Sequence, residues 1–263
     1  MQFEHDPDVA WVEALSGRSF GAAARAVAEA QGERRLFAHL GREHEREGRR
    51  SYIEIDAPLE LHALVRLVRP RHVVEVGVSS GVSSAYLLNA LAKNGRGTLH
   101  SIDLPQKPRS RTCSGAPPRD SWSLPPGRSS GWAVPTSLRR GWDLRLGDKR
   151  ELLPILAREL PRIDLFVYDV PHEDRDTAAE LRLLDPRFPP GGVAIIDHGP
   201  SGGLCPALNG WARAHRTRPV RRSGLGLFGA RRPTASRGAS RPKSKSVRSR
   251  RAAATGHRED PGA

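Results

Sequence analysis

The chain has 263 residues, enough for one α/β domain with appendages, and its 37% hydrophobic content is low for a wholly globular protein, so part of it contributes no core. The net charge of +14 is a C-terminal property: residues 206–230 carry five Lys or Arg and no acid, and residues 231–263 carry ten against two. Cys113 and Cys205 give no support to a disulfide framework or zinc site, no apolar run reaches the ~20 residues that span a bilayer, and the start Met1 to Asp6 lacks a secretory signal, so a soluble cytoplasmic protein is expected.

Residues 8–47 read as helices, rich in alanine and punctuated by Gly17, Gly32 and Gly48. The charged run from Glu43 to Arg50 reads as a solvated face. Asp56-Ala57-Pro58 then offers a cap and a first-turn proline for a helix carrying Leu59, Ala63, Leu64, Leu67 and Val68. Residues 1–50 are therefore expected to form an N-terminal helical cap.

From residue 72 the pattern becomes an alternation of strands and helices. Val73-Val74-Glu75-Val76, Thr98 to Asp103, Trp142 to Leu146, Ile163 to Asp169 and Gly192 to Asp197 are apolar strands separated by helical stretches. Such alternation implies a parallel sheet covered on both faces. Arg218 to Arg221 and Gly224 to Gly229 are expected to close the sheet as an antiparallel hairpin, and Trp211 is expected in the core. Residues 105–131, rich in Pro, Ser, Arg and Gly, read as a long loop insert within a domain spanning 51–232. Residues 233–263 read as a disordered basic tail.

Open parallel sheets bind ligands beyond the carboxyl ends of their strands, so the residues just after each strand carry the chemistry. Gly77 and Gly81 permit a tight turn with close backbone approach. The next helix presents N-terminal amides, and Ser79, Ser80, Ser83 and Ser84 add hydroxyls. Asp103, ending the second strand, can accept hydrogen bonds from both hydroxyls of a ribose. Turn and acid together specify a nucleoside-containing ligand, while the absence of G-x-G-x-x-G disfavours a dinucleotide.

Val73 to Ser84 resembles the first motif of class I S-adenosylmethionine-dependent methyltransferases. Leu99 to Pro105, Gly131 to Pro135, Leu144 to Asp148, Ile163 to His172 and Pro190 to Asp197 follow in that family's order, over roughly residues 52–230. The likeness is to the small-molecule, catechol O-methyltransferase-like branch. It implies a Rossmann-like fold with a mostly parallel seven-stranded sheet and helices on both faces. It also implies that Glu75, Gly77, Ser79, Ser80, Gly81, Ser83 and Ser84 surround the methionine part of the cofactor. Asp103 would hold the ribose and Asp148 would lie near the adenine amino group. On the acceptor side the resemblance places Asp169, Asp197 and His198 where related enzymes hold Mg²⁺, with His198 standing in for an amide. His172 stands where they place a lysine base, and Asp169 and His172 are the expected catalytic pair. The implied activity is O-methylation of a small hydroxylated metabolite. A cofactor-binding domain without turnover is the alternative from another class. A third is a nucleic-acid-associated methyltransferase, because a basic tail attracts phosphate weakly and in a salt-dependent way. The sequence is also compatible with a homodimer.

Overall fold

The computed structural model describes residues 6–47, 57–105, 124–125, 127–170, 174–197, 205–223 and 225–234. The chain opens with three helices, α1 (Val9–Ser16), α2 (Phe20–Gln31) and α3 (Arg34–Arg46). Asp8 caps α1 by accepting from the Trp11 amide at 2.9 Å, and Gly17 ends it in the left-handed region at φ 64°. Helix α4 (Pro58–Val68) begins with its proline in the first turn; Ala57 is its N-cap, and the expected cap Asp56 lies outside the described residues.

Strands and helices then alternate as β1 (His72–Val76), α5 (Val82–Asn94), β2 (Thr98–Asp103), β3 (Trp142–Leu146), α6 (Lys149–Glu159), β4 (Leu165–Tyr168), α7 (Asp174–Leu184), β5 (Val193–Asp197) and α8 (Pro206–Ala214). The hairpin β6 (Val220–Arg221) and β7 (Leu227–Arg231) ends the described chain. The seven strands lie in the order β3-β2-β1-β4-β5-β7-β6. Strands β1 to β5 pair in parallel, while β7 runs antiparallel to both β5 and β6. This is the expected Rossmann-like sheet, with the hairpin inserting its second strand beside β5.

Because successive strand residues point to opposite faces, the sheet has two separate cores. Val73, Leu99, Leu165, Val167, Val193 and Ile195 pack with α1 to α5, and the N-terminal helices thus share a core with the sheet. Val74, Val76, Ile102, Phe166, Tyr168, Ala194 and Ile196 pack with α6 to α8, together with Trp211 as expected. A buried ion pair between Arg222 and Glu60, 2.8 Å apart, ties the hairpin to α4. Arg222 also reaches the Asp6 carbonyl at 2.5 Å, so removing either partner would strand a charge in the interior.

The strand order reverses between β1 and β4, opening a crevice at their carboxyl ends. There the Asp169 amide donates to the Val76 carbonyl at 2.8 Å and the Gly77 amide to the Ile102 carbonyl at 2.9 Å. Gly77 has a φ of 94°, and a Cβ at this position would overlap the Asp169 carbonyl. Only glycine lets β1 end this close to β4.

Candidate functional site

The turn after β1 runs from Gly77 to Gly81, with Ser79 and Gly81 also in the left-handed region at φ 51° and 95°. Gly81 is the N-cap of α5, so the first amides of that helix face the turn. The Ser79 amide donates to Asp103 Oδ2 at 3.1 Å, which joins the turn to the end of β2. The Leu104 amide donates to Asp103 Oδ1 at 3.0 Å. Burial pushes the Asp103 carboxyl above its usual range, while Ser130 and the amides of Leu104, Ser79 and Val78 pull it back down. Asp103 therefore stands at the rim, oriented and partly exposed.

Glu75 takes a different position from the one expected beside a ligand. Its side chain is fully buried beneath the turn and accepts hydroxyls from Ser83 at 2.8 Å, Ser84 at 2.7 Å and Ser101 at 2.7 Å. Ser101 in turn accepts from the Trp142 indole at 2.8 Å. Burial pushes the Glu75 carboxyl up to about 7, against the opposing pull of these hydroxyls. The hub couples β1, β2, β3 and the first turn of α5.

The four serines therefore divide. Ser83 and Ser84 are spent on Glu75, and Ser80 is fully buried with its Oγ 3.1 Å from His44 Nε2. Ser79 stays partly exposed at the rim. Asp148 caps α6 by accepting from the Arg150 amide at 2.8 Å, and its side chain is exposed. Leu104 and Leu146, which sequence reasoning did not single out, are 60% and 48% exposed at the ends of β2 and β3. Two large apolar side chains thus stand bare beside Asp103 and Asp148. Their signal in the sequence was position alone, one residue after Asp103 and two before Asp148.

The residues 127–134 close the back of the turn. The Gly131 amide donates to the Ser79 carbonyl at 2.8 Å and the Ala133 amide to the Ser80 carbonyl at 3.0 Å. The end of the expected loop insert is thus an integral part of the site. Helix α3 lies over this segment. Leu36 and Leu40 are buried, and His44 and Glu47, at the same helical spacing, are partly buried, while Glu45 and Arg46 stay exposed, so the described part of the run from Glu43 is solvated on one side only. His44 sits 5.2 Å from the Trp132 ring, and Glu47 pairs with Arg128 at 2.6 Å.

On the other half of the crevice, Asp169 and Asp197 end the neighbouring parallel strands β4 and β5, whose last paired residues are Tyr168 and Ile196. Both aspartates are partly exposed. His172 and His198 lie outside the described residues, as does Cys113; Cys205 is buried at the N-cap of α8. A separate group, Glu29, Glu33 and His62, has metal-ligating atoms close together on α2, α4 and the connection between α2 and α3. Arg66 bonds Glu29 at 2.8 Å and Lys93 pairs with Glu33 at 2.7 Å, so cations of the chain itself already neutralise these carboxylates.

The parallel sheet with its antiparallel last hairpin and the glycine turn after β1 define a Rossmann-like fold. Residues 74–198 match the family described as Methyltransferase domain. No curated protein matches the chain at a significant level. Among solved structures, a putative O-methyltransferase from Klebsiella pneumoniae is 18% identical over 76% of this chain and 90% of its own, at a TM-score of 0.48. The O-methyltransferase TomG from Streptomyces achromogenes, solved with SAM, is 18% identical over 76% and 89%, at 0.49. The SAH-bound methyltransferase PaMTH1 of Podospora anserina is 12% identical over 80% and 94%, at 0.49. Among the described residues no helix is long and apolar enough to cross a membrane.

Proposed function

We propose that the chain transfers a methyl group from S-adenosylmethionine to a hydroxyl of a small metabolite. The observation that carries this reading is the left-handed turn Gly77–Gly81 hydrogen-bonded to Asp103 at the crevice where the strand order reverses, inside a methyltransferase domain. When bound, the cofactor supplies an electrophilic methyl on a sulfonium. Asp103 would accept the ribose hydroxyls, Leu104 and Leu146 would flank the adenine, and Asp148 would take its amino group through the carboxylate oxygen not used in capping. Gly77 and Ser79 would offer backbone and hydroxyl to the methionine part, with Glu75, Ser80, Ser83 and Ser84 holding the turn from beneath.

For the acceptor, the His172 imidazole would take the hydroxyl proton as the oxygen bonds to the methyl and S-adenosylhomocysteine leaves, with Asp169 orienting the acceptor, since a neutral imidazole suits proton transfer near pH 7. The enzyme's main contribution would be alignment of nucleophile and methyl. A divalent cation such as Mg²⁺ is part of the proposal, held by Asp169, Asp197 and His198: two carboxylates ending adjacent strands are a donor set suited to a hard cation. The proposal also includes a cytoplasmic location, a homodimer, and weak nucleic-acid attraction confined to the basic tail.

The test is titration of the whole chain with S-adenosylmethionine and S-adenosylhomocysteine by calorimetry, with Asp103→Ala alongside. Micromolar binding that Asp103→Ala abolishes is expected. No binding by a folded wild-type protein would sink the proposal.

A further inference from the structure

The turn after β1 is strained. Ser79 holds a positive φ without being glycine, a conformation that costs of order 1 kcal/mol or more and persists only where surroundings over-determine it. Its chain neighbours supply one hydrogen bond, from the Gly81 amide to the Val78 carbonyl at 2.9 Å. The further supports come from far away in sequence: the amides of Gly131 and Ala133 on the carbonyls of Ser79 and Ser80, and the His44 imidazole on the Ser80 hydroxyl.

His44 is placed for this by a second bond. Its Nδ1 lies 2.7 Å from the Leu40 carbonyl, an oxygen that can only accept, so Nδ1 carries a proton. In the neutral ring Nε2 is then an acceptor, and the Ser80 hydroxyl donates to it across 3.1 Å. The same helix face reaches the segment behind the turn at two further points, through Glu47 to Arg128 and through His39 Nε2, 3.1 Å from the Ala133 carbonyl. Arg128 lies 5.1 Å above the Trp132 ring, which packs on His44. One face of α3 thus grips both the turn and its backing segment.

We propose that His44 is a positioning residue for the Gly77–Gly81 turn, and that α3 is thereby part of the cofactor-binding unit. The inference rests on the reading of this turn as the seat of S-adenosylmethionine. His44 touches no reacting atom. By holding the Ser80 hydroxyl it fixes the peptide groups on either side of Ser80, so the turn and the first amides of α5 meet the ligand already in place. Preorganisation of this kind raises affinity by removing an ordering cost from the binding step.

The experiment is a double-mutant cycle on the full chain, read as the dissociation constant for S-adenosylhomocysteine with thermal unfolding recorded for each variant. His44→Ala and Ser80→Ala are each expected to weaken binding roughly 5- to 10-fold, the range for one lost buried hydrogen bond. The double variant should bind no more weakly than either single one, because both remove the same contact. His44→Gln, whose amide oxygen can accept the Ser80 hydroxyl, should recover most of the affinity; a purely structural role would not show this rescue. Single variants that bind like wild type, or losses that simply add, would overturn the assignment of His44 while leaving the cofactor reading intact. If wild type itself binds no S-adenosylhomocysteine, the cofactor reading falls and this inference with it. Should His44→Ala not fold, Ser80→Ala and His44→Gln carry the test.

Discussion

The two faces of the sheet are built differently, although alternate residues of the same strands make both. On the face covered by α1 to α5, Glu75 and Ser101 are buried with Ser83, Ser84 and the Trp142 indole in one hydrogen-bonded hub. On the face covered by α6 to α8, the neighbouring positions are Val74, Val76, Ile102, Phe166 and Tyr168, and the polar contacts gather at the end of β4, where Lys149 meets the buried Tyr168 hydroxyl at 2.5 Å. Apolar packing adapts when it is trimmed, whereas a buried carboxyl with three donors holds its neighbours in one arrangement. The polar hub lies directly under the turn that forms the site, so fixed geometry is concentrated where the ligand would sit.

The largest expected effect comes where the two faces meet. Gly77→Ala places a Cβ on the Asp169 carbonyl with the backbone at φ 94°, and neither backbone can yield without parting β1 from β4. We expect a loss of roughly 4 kcal/mol or more, or no folded protein at all, read by urea unfolding. A variant within 1 kcal/mol of wild type would break the account of the crevice.

Phe166→Ala, on the apolar face, should cost about 3–5 kcal/mol through lost burial and a cavity. The folded fraction should still bind S-adenosylhomocysteine as wild type does. A matching loss of affinity would show that the two faces are not separable.

The smallest effect is also the most specific. The folded state holds the Glu75 proton up to about 7, while the unfolded chain releases it near 4.5. The folded state therefore binds more protons between those values. Stability from this group is complete below the unfolded value and declines as the pH rises through about 7. Glu75→Gln removes that titration, so the wild type should lose melting temperature relative to Glu75→Gln between pH 5 and pH 8, by a few degrees. Parallel pH profiles for the two proteins would contradict a protonated hub.

Much of this is legible in the sequence. Five parallel strands follow from short apolar, β-branched runs, and Asp103 declares itself by ending one of them beside a glycine turn. Less legible was the use of each polar residue near the turn. Ser79, Ser80, Ser83 and Ser84 look equivalent along the chain, yet one remains at the rim, one meets His44 and two meet Glu75. Their roles depend on where α5 begins and on what α3 brings from 36 residues away. The inward turn of α3 was present as the spacing of Leu36, Leu40, His44 and Glu47, but the density of charge around it concealed the stripe.

The sequence by itself determined the alternation of strands and helices, the place of the tight turn and the acid that faces it. Those depend on local propensity, on side-chain period and on which residues tolerate a positive φ. Tertiary structure alone decided the insertion of β7 between β5 and β6, the docking of residues 127–134 behind the turn, and the burial of Glu75 among three hydroxyls. These are pairings between residues distant along the chain, and a hydrogen bond across such a distance leaves no period in the sequence to read.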